Sequence, residues 1–270
     1  MHLLVSVAGP AEARAALRGG ADVIDAKDPR RGALGPVPPH RFAAIAAVVG
    51  ATSPTRPVSA ALGDAADPRA IARAAGTAVL AGAAFVKVGF AGVADEVRAH
   101  GLAAAARSGT RKHAGAALVL VAYADWRAVG SLAPRRVVTL AAAAGASGVL
   151  LDTADKTVPL FMRESPEVVG AWVADAHAAG LFAALAGGLT EADFPTARAL
   201  GADLVGVRGA ACVGGRTGRV TAARVAALRA SAGAAARVPV GRAVFPQRDI
   251  QLPEVARRDH EVLYARRERP

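Results

Sequence analysis

Residues 117–152 read ALVLVAYADWRAVGSLAPRRVVTLAAAAGASGVLLD, and this stretch decides the architecture. Residues 117–123 are a continuous apolar run rich in Val and Leu, and residues 148–152 are a second one. Neither alternates polar with apolar positions, so both predict strands covered on two faces, as in a parallel sheet. Between them, residues 134–144 read as a helix opened by Pro134, a residue suited to a first helical position because its missing N–H is one the helix could not use. Strand, helix and strand in this order make the repeating unit of a parallel α/β fold.

The same alternation continues in both directions. Toward the N-terminus, strands are predicted over 3–7, 22–26, 57–62 and 85–88, with helices from Pro10 to Gly19 and over 41–49, 68–80 and 93–107. Toward the C-terminus, strands are predicted over 181–185 and 203–207, with helices over 166–179, 190–200 (Thr190 as its cap) and 221–230. Eight strand–helix units favour a single closed (β/α)8 barrel over an open doubly wound sheet, and a barrel of roughly 250 residues fits the length. Residues 1–232 are therefore expected to be the catalytic barrel. From 237 to the end the chain holds eight Arg, five acidic residues and four Pro without an apolar period. Residues 233–270 are read as a basic C-terminal extension that wraps the surface or serves as an oligomerisation arm, and a homo-oligomer is expected.

Composition narrows the class. The chain is 53% hydrophobic and 20% charged, which excludes an intrinsically disordered protein. Ala supplies 71 of the 270 residues and aromatics only 4%, so the core must be built of small side chains. No uninterrupted apolar stretch approaches the roughly 20 residues of a membrane span. Residues 1–5, MHLLV, lack the basic region and cleavage pattern of a signal peptide, and the one cysteine, Cys212, has no internal partner. A cytoplasmic protein without membrane contact is expected. The net charge of +11 suits nucleic acid or small anions equally. The arginines are scattered and not interleaved with aromatics, which argues against nucleic acid.

Of the 33 cationic residues, 29 are Arg and four are Lys: Lys27, Lys87, Lys112 and Lys156. In so Arg-rich a chain, the retained lysines point to chemistry that a guanidinium cannot do, since an amine can lose its proton near neutrality and attack a carbonyl. Active residues of a barrel lie at the C-terminal ends of its strands. Lys27 follows the second strand, Lys87 lies within the fourth and Lys156 follows the sixth, so three of the four share one rim. Lys112, in a polar connector, reads as solvated. Lys87 stands in an apolar strand and needs either a carboxylate partner or a lost proton. Asp25 and Asp152 end their strands, as Asp22 does not, and are candidate proton shuttles or lysine orienters. Asp64, Tyr123 and Asp125 are weaker candidates for the mouth.

Gly187-Gly188 follows the seventh strand, and Arg208-Gly209 the eighth. Barrels often hold phosphate on these two loops, so Gly188, Arg208 and Gly209 are the expected phosphate contacts. The Gly-rich stretch 214–219 is no Walker A loop, and no spacing suited to a metal is visible; neither metal nor other cofactor is expected. Cys212 has no His nearby in sequence and reads as packing. Together these residues describe an amine-based enzyme acting on a phosphorylated carbonyl compound.

The blocks LLVSV, GGADVIDAKDPRRGALG, FVKVG, LLDTADK, LAGGL and DLVGVRGAAC, in this order over about residues 1–230, resemble the (5-formylfuran-3-yl)methyl phosphate synthase family of methanofuran and methylofuran biosynthesis. The resemblance implies a (β/α)8 barrel that condenses two molecules of glyceraldehyde 3-phosphate into a furan aldehyde monophosphate, releasing phosphate and water, a carbon–oxygen lyase reaction. It implies a Schiff-base lysine at Lys27, in the D-x-K motif, and a proton-accepting lysine at Lys87, in VKVG. It implies supporting roles for Asp25, Asp152 and Lys156. The region beyond about residue 237 has no counterpart in that pattern. A class I aldolase acting on another sugar phosphate and, more remotely, a basic nucleic-acid-binding protein remain the alternatives.

Overall fold

The computed structural model describes residues 1–111 and 116–233. The parallel strands β1 (His2–Val7), β2 (Val23–Ala26), β3 (Val58–Asp64), β4 (Phe85–Gly89), β5 (Ala117–Tyr123), β6 (Gly148–Asp152), β7 (Phe182–Leu185) and β8 (Leu204–Val207) follow one another around a closed barrel, β8 pairing with β1. The helices, in chain order, are α1 (Pro10–Arg18), α2 (Pro39–Thr52), α3 (Pro68–Leu80), α4 (Glu96–Arg111), α5 (Pro134–Ala143), α6 (Leu160–Arg163), α7 (Pro166–Ala178), α8 (Phe194–Ala199) and α9 (Ala222–Ala232). This is the expected barrel. Lys112 and everything beyond Gly233, the expected extension included, lie outside the described residues.

Helix starts follow their sequence signals. Pro occupies the first turn of α1, α2, α3, α5 and α7. The Asp67 carboxylate accepts a bond from the Ala70 N–H at 2.6 Å and caps α3. Asp95 does the same for Arg98 at 2.7 Å, and α4 begins at Glu96 rather than at the expected residue 93. The expected helix 190–200 is split into a 3₁₀ turn (Glu191–Asp193) and α8. There Thr190 gives its N–H and its hydroxyl to the Asp193 carboxylate, at 2.8 and 2.9 Å. Two small elements had no sequence signal: α6, and an antiparallel hairpin of β9 (Cys212–Val213) and β10 (Arg219–Val220) after β8.

Each strand splits its side chains between two cores. Leu3, Val5 and Val7 of β1 join the layer between barrel and helices, whereas Leu4 packs inside the barrel with Val23, Phe85, Val119, Leu150 and Leu204. The outer layer is where the alanines go. Ala75 and Ala78 of α3 and Ala99, Ala103 and Ala106 of α4 are buried, and these small side chains let the two helices approach closely.

Ion pairs close the N-terminal end of the barrel. Asp22 accepts the Leu3 N–H at 2.9 Å and pairs with Arg56 at 2.8 Å and Arg229 at 3.3 Å. Asp203 pairs with His177 at 2.8 Å and accepts the Ala183 N–H. Asp22 is thus structural and far from the rim where Asp25 stands, as its place at the start of β2 implied. Among the described residues no helix is long and apolar enough to cross a membrane.

Candidate active site

A cavity of about 180 Å3 opens at the C-terminal mouth of the barrel. Its upper wall carries Lys27, Lys87, Asp152 and Lys156; its floor is made of inward residues such as Leu4, Phe85, Val119 and Leu204. The volume lies below the roughly 300–1,000 Å3 of drug-sized sites and suits a small metabolite.

Alternation along the strands explains which charged groups meet. Asp25 is opposite Ser6 of β1 and Ser59 of β3, and Lys87 lies opposite Ala61, so all these positions share the inner face. Asp25 is fully buried. One carboxylate oxygen lies 2.8 Å from the Lys87 ammonium, and the other accepts the Ser6 hydroxyl at 2.8 Å. Burial alone would push the Asp25 carboxyl up. The ammonium groups of Lys87 and Lys27 and the Ser6 hydroxyl overcome it and hold Asp25 below the usual carboxylate range. The buried Lys87 thus has the carboxylate partner that its strand position demands.

A second pair faces it. The Lys156 ammonium lies 2.5 Å from Asp152 and also donates to the Thr153 carbonyl. Asp152 is buried and accepts the Thr153 N–H at 2.8 Å. Burial pushes its carboxyl up, and Lys156, Lys27 and the Thr153 N–H together bring it below the ordinary value.

Lys27 is different. Its backbone N–H is fixed on the Val7 carbonyl at 3.0 Å, and the loop that follows is pinned by Asp28 N–H to Gly35 O at 2.8 Å. Its ammonium, buried at the cavity wall, makes no hydrogen bond or close ion pair among the described residues. Burial drives its pKa down to about 8, against the opposing pull of Asp152 and Asp25. This is the environment that turns a lysine into a nucleophile.

The phosphate candidates part company. Gly187 and Gly188 line the cavity with φ of 97° and 71°, and among the described residues no group accepts a bond from either N–H. A Cβ on Gly187 would come within 2.9 Å of the Thr153 side chain. Gly209 also lines the cavity, at the first position of a 3₁₀ turn. Arg208 reaches the rim as expected, but its guanidinium is saturated. Nη1 donates to Ser6 O and Glu12 Oε2, Nη2 to Glu12 Oε1 and Gly218 O, and Nε to Arg216 O. That leaves no N–H for a phosphate, which corrects the reading of Arg208 as a free anion contact. Besides the lysines, a second arginine stands at the mouth, Arg216 from the β9–β10 connection, which sequence reasoning missed. Its Nη1 and Nη2 reach across to the carbonyls of Pro29 and Gly32 in the loop after Lys27. The visible signal was the Gly-rich stretch 214–219, which turns the chain from β9 into β10.

The weaker candidates are structural. The Tyr123 hydroxyl donates to Asp64 Oδ1 at 2.8 Å, and the ring is buried rather than facing the mouth. Burial and the Asp64 carboxylate push its ionisation well above the usual phenol range. Gly89 leaves room for this bond, because a Cβ there would fall 2.6 Å from the hydroxyl. Asp125 accepts the N–H groups of Ala154 and Asp155, both at 2.8 Å, and so shapes the loop that carries Lys156. Burial raises the Cys212 thiol, which keeps it protonated and unreactive. Among the described residues no group of His, Cys, Asp and Glu gathers to hold a metal ion.

A sequence model of the 4-HFC-P synthase family matches residues 3–229, from within β1 to within α9. The chain belongs to this family. Two relatives, both called (5-formylfuran-3-yl)methyl phosphate synthase, illustrate the depth of the match. The one from Methanocaldococcus jannaschii is 39% identical over 218 residues, covering 80% of this chain and 92% of the relative. The one from Methanopyrus kandleri is 41% identical over 221 residues, covering 81% and 92%. Among solved structures, a 3-hexulose-6-phosphate synthase superposes with a TM-score of 0.55 at 20% identity, covering 84% of this chain and 99% of the other. A phosphoribosyl anthranilate isomerase from Thermus thermophilus gives 0.53 at 14%, covering 86% and 98%. At such identity these structures speak for the barrel and for nothing finer. Family membership places the five residues Asp25, Lys27, Lys87, Asp152 and Lys156 within the matched span.

Proposed function

We propose that this protein condenses two molecules of glyceraldehyde 3-phosphate into (5-formylfuran-3-yl)methyl phosphate, with loss of one phosphate and of water. The observation that carries the reading is the Lys27 amine: buried, without a hydrogen-bonding partner, brought down to about 8, and set between two carboxylate–lysine pairs. The names of the relatives support the product; glyceraldehyde 3-phosphate as the substrate is part of the proposal.

The residues have distinct parts in this scheme. The Lys27 amine adds to the aldehyde carbon and, with loss of water, forms an imine that acidifies the adjacent carbon. Lys87, beside Asp25, takes up and returns protons on one side of the cavity. Lys156, beside Asp152, delivers a proton to a departing oxygen on the other. The amides of Gly188 and Gly209 offer donors to the phosphate, and Arg216 supplies the charge. The apolar floor keeps water from the imine.

The test is mass spectrometry of the purified protein incubated with glyceraldehyde 3-phosphate alone. A six-carbon furan aldehyde monophosphate is the expected product. Unchanged substrate from a folded protein overturns the reading, and cleavage of a six-carbon sugar phosphate without furan would transfer the same lysine to an aldolase.

A further inference from the structure

Ser6 lies on β1, a strand that contributes none of the five proposed catalytic side chains, yet it is the residue through which the rim and the inner charges are joined. Its hydroxyl is buried and donates to Asp25 Oδ2 at 2.8 Å, on the side of the carboxylate away from Lys87. Its carbonyl accepts from Arg208 Nη1 at 3.0 Å. Glu12, gripped by both ends of the same guanidinium, accepts the Ala8 N–H at 2.7 Å. The C-terminal end of β1 is therefore fastened at the Ser6 carbonyl and at the Ala8 N–H. This holds the backbone from which the hydroxyl reaches Asp25.

We propose that Ser6 is a positioning residue, whose hydroxyl locks the Asp25 carboxylate in the orientation that presents its second oxygen to the Lys87 ammonium. A buried carboxylate with a single partner could turn about its χ2 bond. With Ser6 on one oxygen and Lys87 on the other it cannot turn without losing both contacts. Arg208 acts one step further out, by holding the peptide from which the hydroxyl projects. The groups facing Asp25 are Lys87 from β4, Lys27 beyond the end of β2 and Ser6 from β1; the charges of Arg208 and Glu12 are paired with each other beyond Ser6. The proton-transfer role of Lys87 rests on the function proposed above, but the orientation of Asp25 does not, and the experiment separates the two.

The chain has four lysines, so protein labelled with 15N-lysine gives a side-chain spectrum simple enough to assign by substitution. In the native full-length protein the paired, buried Lys87 ammonium is expected to give a signal protected from solvent exchange. Ser6→Ala is expected to abolish that protection, and Ser6→Thr, which keeps the hydroxyl, to retain it. In parallel, the Asp25 carboxyl, followed by its 13C signal, is expected to titrate at higher pH in Ser6→Ala than in the parent, because it loses a donor to its charged form. Ser6→Thr should restore the parent titration. A purely structural Ser6 would change the amount of folded protein but neither the Lys87 signal nor the Asp25 titration. Unchanged Lys87 protection in a folded Ser6→Ala protein overturns the proposal. Lost protection in Ser6→Ala, together with a parent protein that forms no furan, overturns the proposed reaction while leaving Ser6 as the residue that orients Asp25.

Discussion

Arg208 and Glu12 meet through both terminal nitrogens of the guanidinium and both oxygens of the carboxylate, at 2.5 and 3.1 Å, although 196 residues separate them in the chain. Two nitrogens and two oxygens in one plane make a rigid fork that Lys cannot reproduce. The pair sits where β8 closes on β1, and every remaining donor of Arg208 ties down a neighbouring carbonyl.

Arg208 is therefore a brace. Arg208→Met should lower stability by about 3 kcal/mol, the order expected when one side of a buried, hydrogen-bonded ion pair is removed. Chemical denaturation would measure it. A variant as stable as the parent would return Arg208 to the list of free cations.

Arg216 should behave in the opposite way. Arg216→Ala removes two bonds from a side chain at the mouth, so the melting temperature should move little. The KM for a phosphorylated aldehyde should rise tenfold or more, with a smaller change in kcat. Steady-state kinetics on the two arginine variants, side by side, distinguishes the brace from the anion contact.

Lys27 supplies a pH prediction with a definite sign. Its ammonium titrates near 8 in the folded state and at about 10.5 when unfolded. The unfolded chain therefore binds more protons between these values, and stability rises as pH increases through that window. Below it, the buried charge costs about 3 kcal/mol by the same linkage. Lys27→Met should be more stable than the parent at pH 7 and lose the increase between pH 8 and 10.5. Denaturation at several pH values tests both statements.

The same substitution, or Lys27→Arg, should abolish imine formation. Borohydride reduction in the presence of glyceraldehyde 3-phosphate is expected to fix added mass on Lys27 in the parent and nowhere in the variant. Mass appearing on Lys87 or Lys156 instead would reassign the nucleophile.

Gly187→Ala places a methyl group 2.9 Å from the Thr153 side chain at a φ of 97°. A loss of about 1–3 kcal/mol follows from the backbone conformation. Weaker binding of inorganic phosphate should accompany it, measurable by calorimetry.

The barrel was legible because its strands are unbroken apolar runs and five of its helices open with Pro, both local signals. The hairpin β9–β10 was not, since strands of two residues have no period to read. The five site residues could be placed because strand ends are predictable and Lys is scarce against Arg. Their partners could not. That Lys87 reaches Asp25 depends on β2, β3 and β4 lying side by side with both residues on the inner face, and that Arg208 spends all its donors on Glu12, Ser6 and the hairpin depends on β8 meeting β1 across 202 residues of sequence. The Thr190 cap, read from one residue, is present as a reciprocal capping box whose partner, Asp193, accepts the Thr190 N–H and hydroxyl.

The closure of β8 onto β1 has a consequence in time. Lys27 is synthesised early, but the strand that completes its enclosure, and the arginine that fastens the end of β1, come roughly 180 residues later, some tens of seconds at the slower speeds of translation. Until then the amine remains in water, close to its ordinary pKa and almost wholly protonated at neutral pH. The lowered pKa on which its proposed role depends arrives only when the last turn of the barrel is in place.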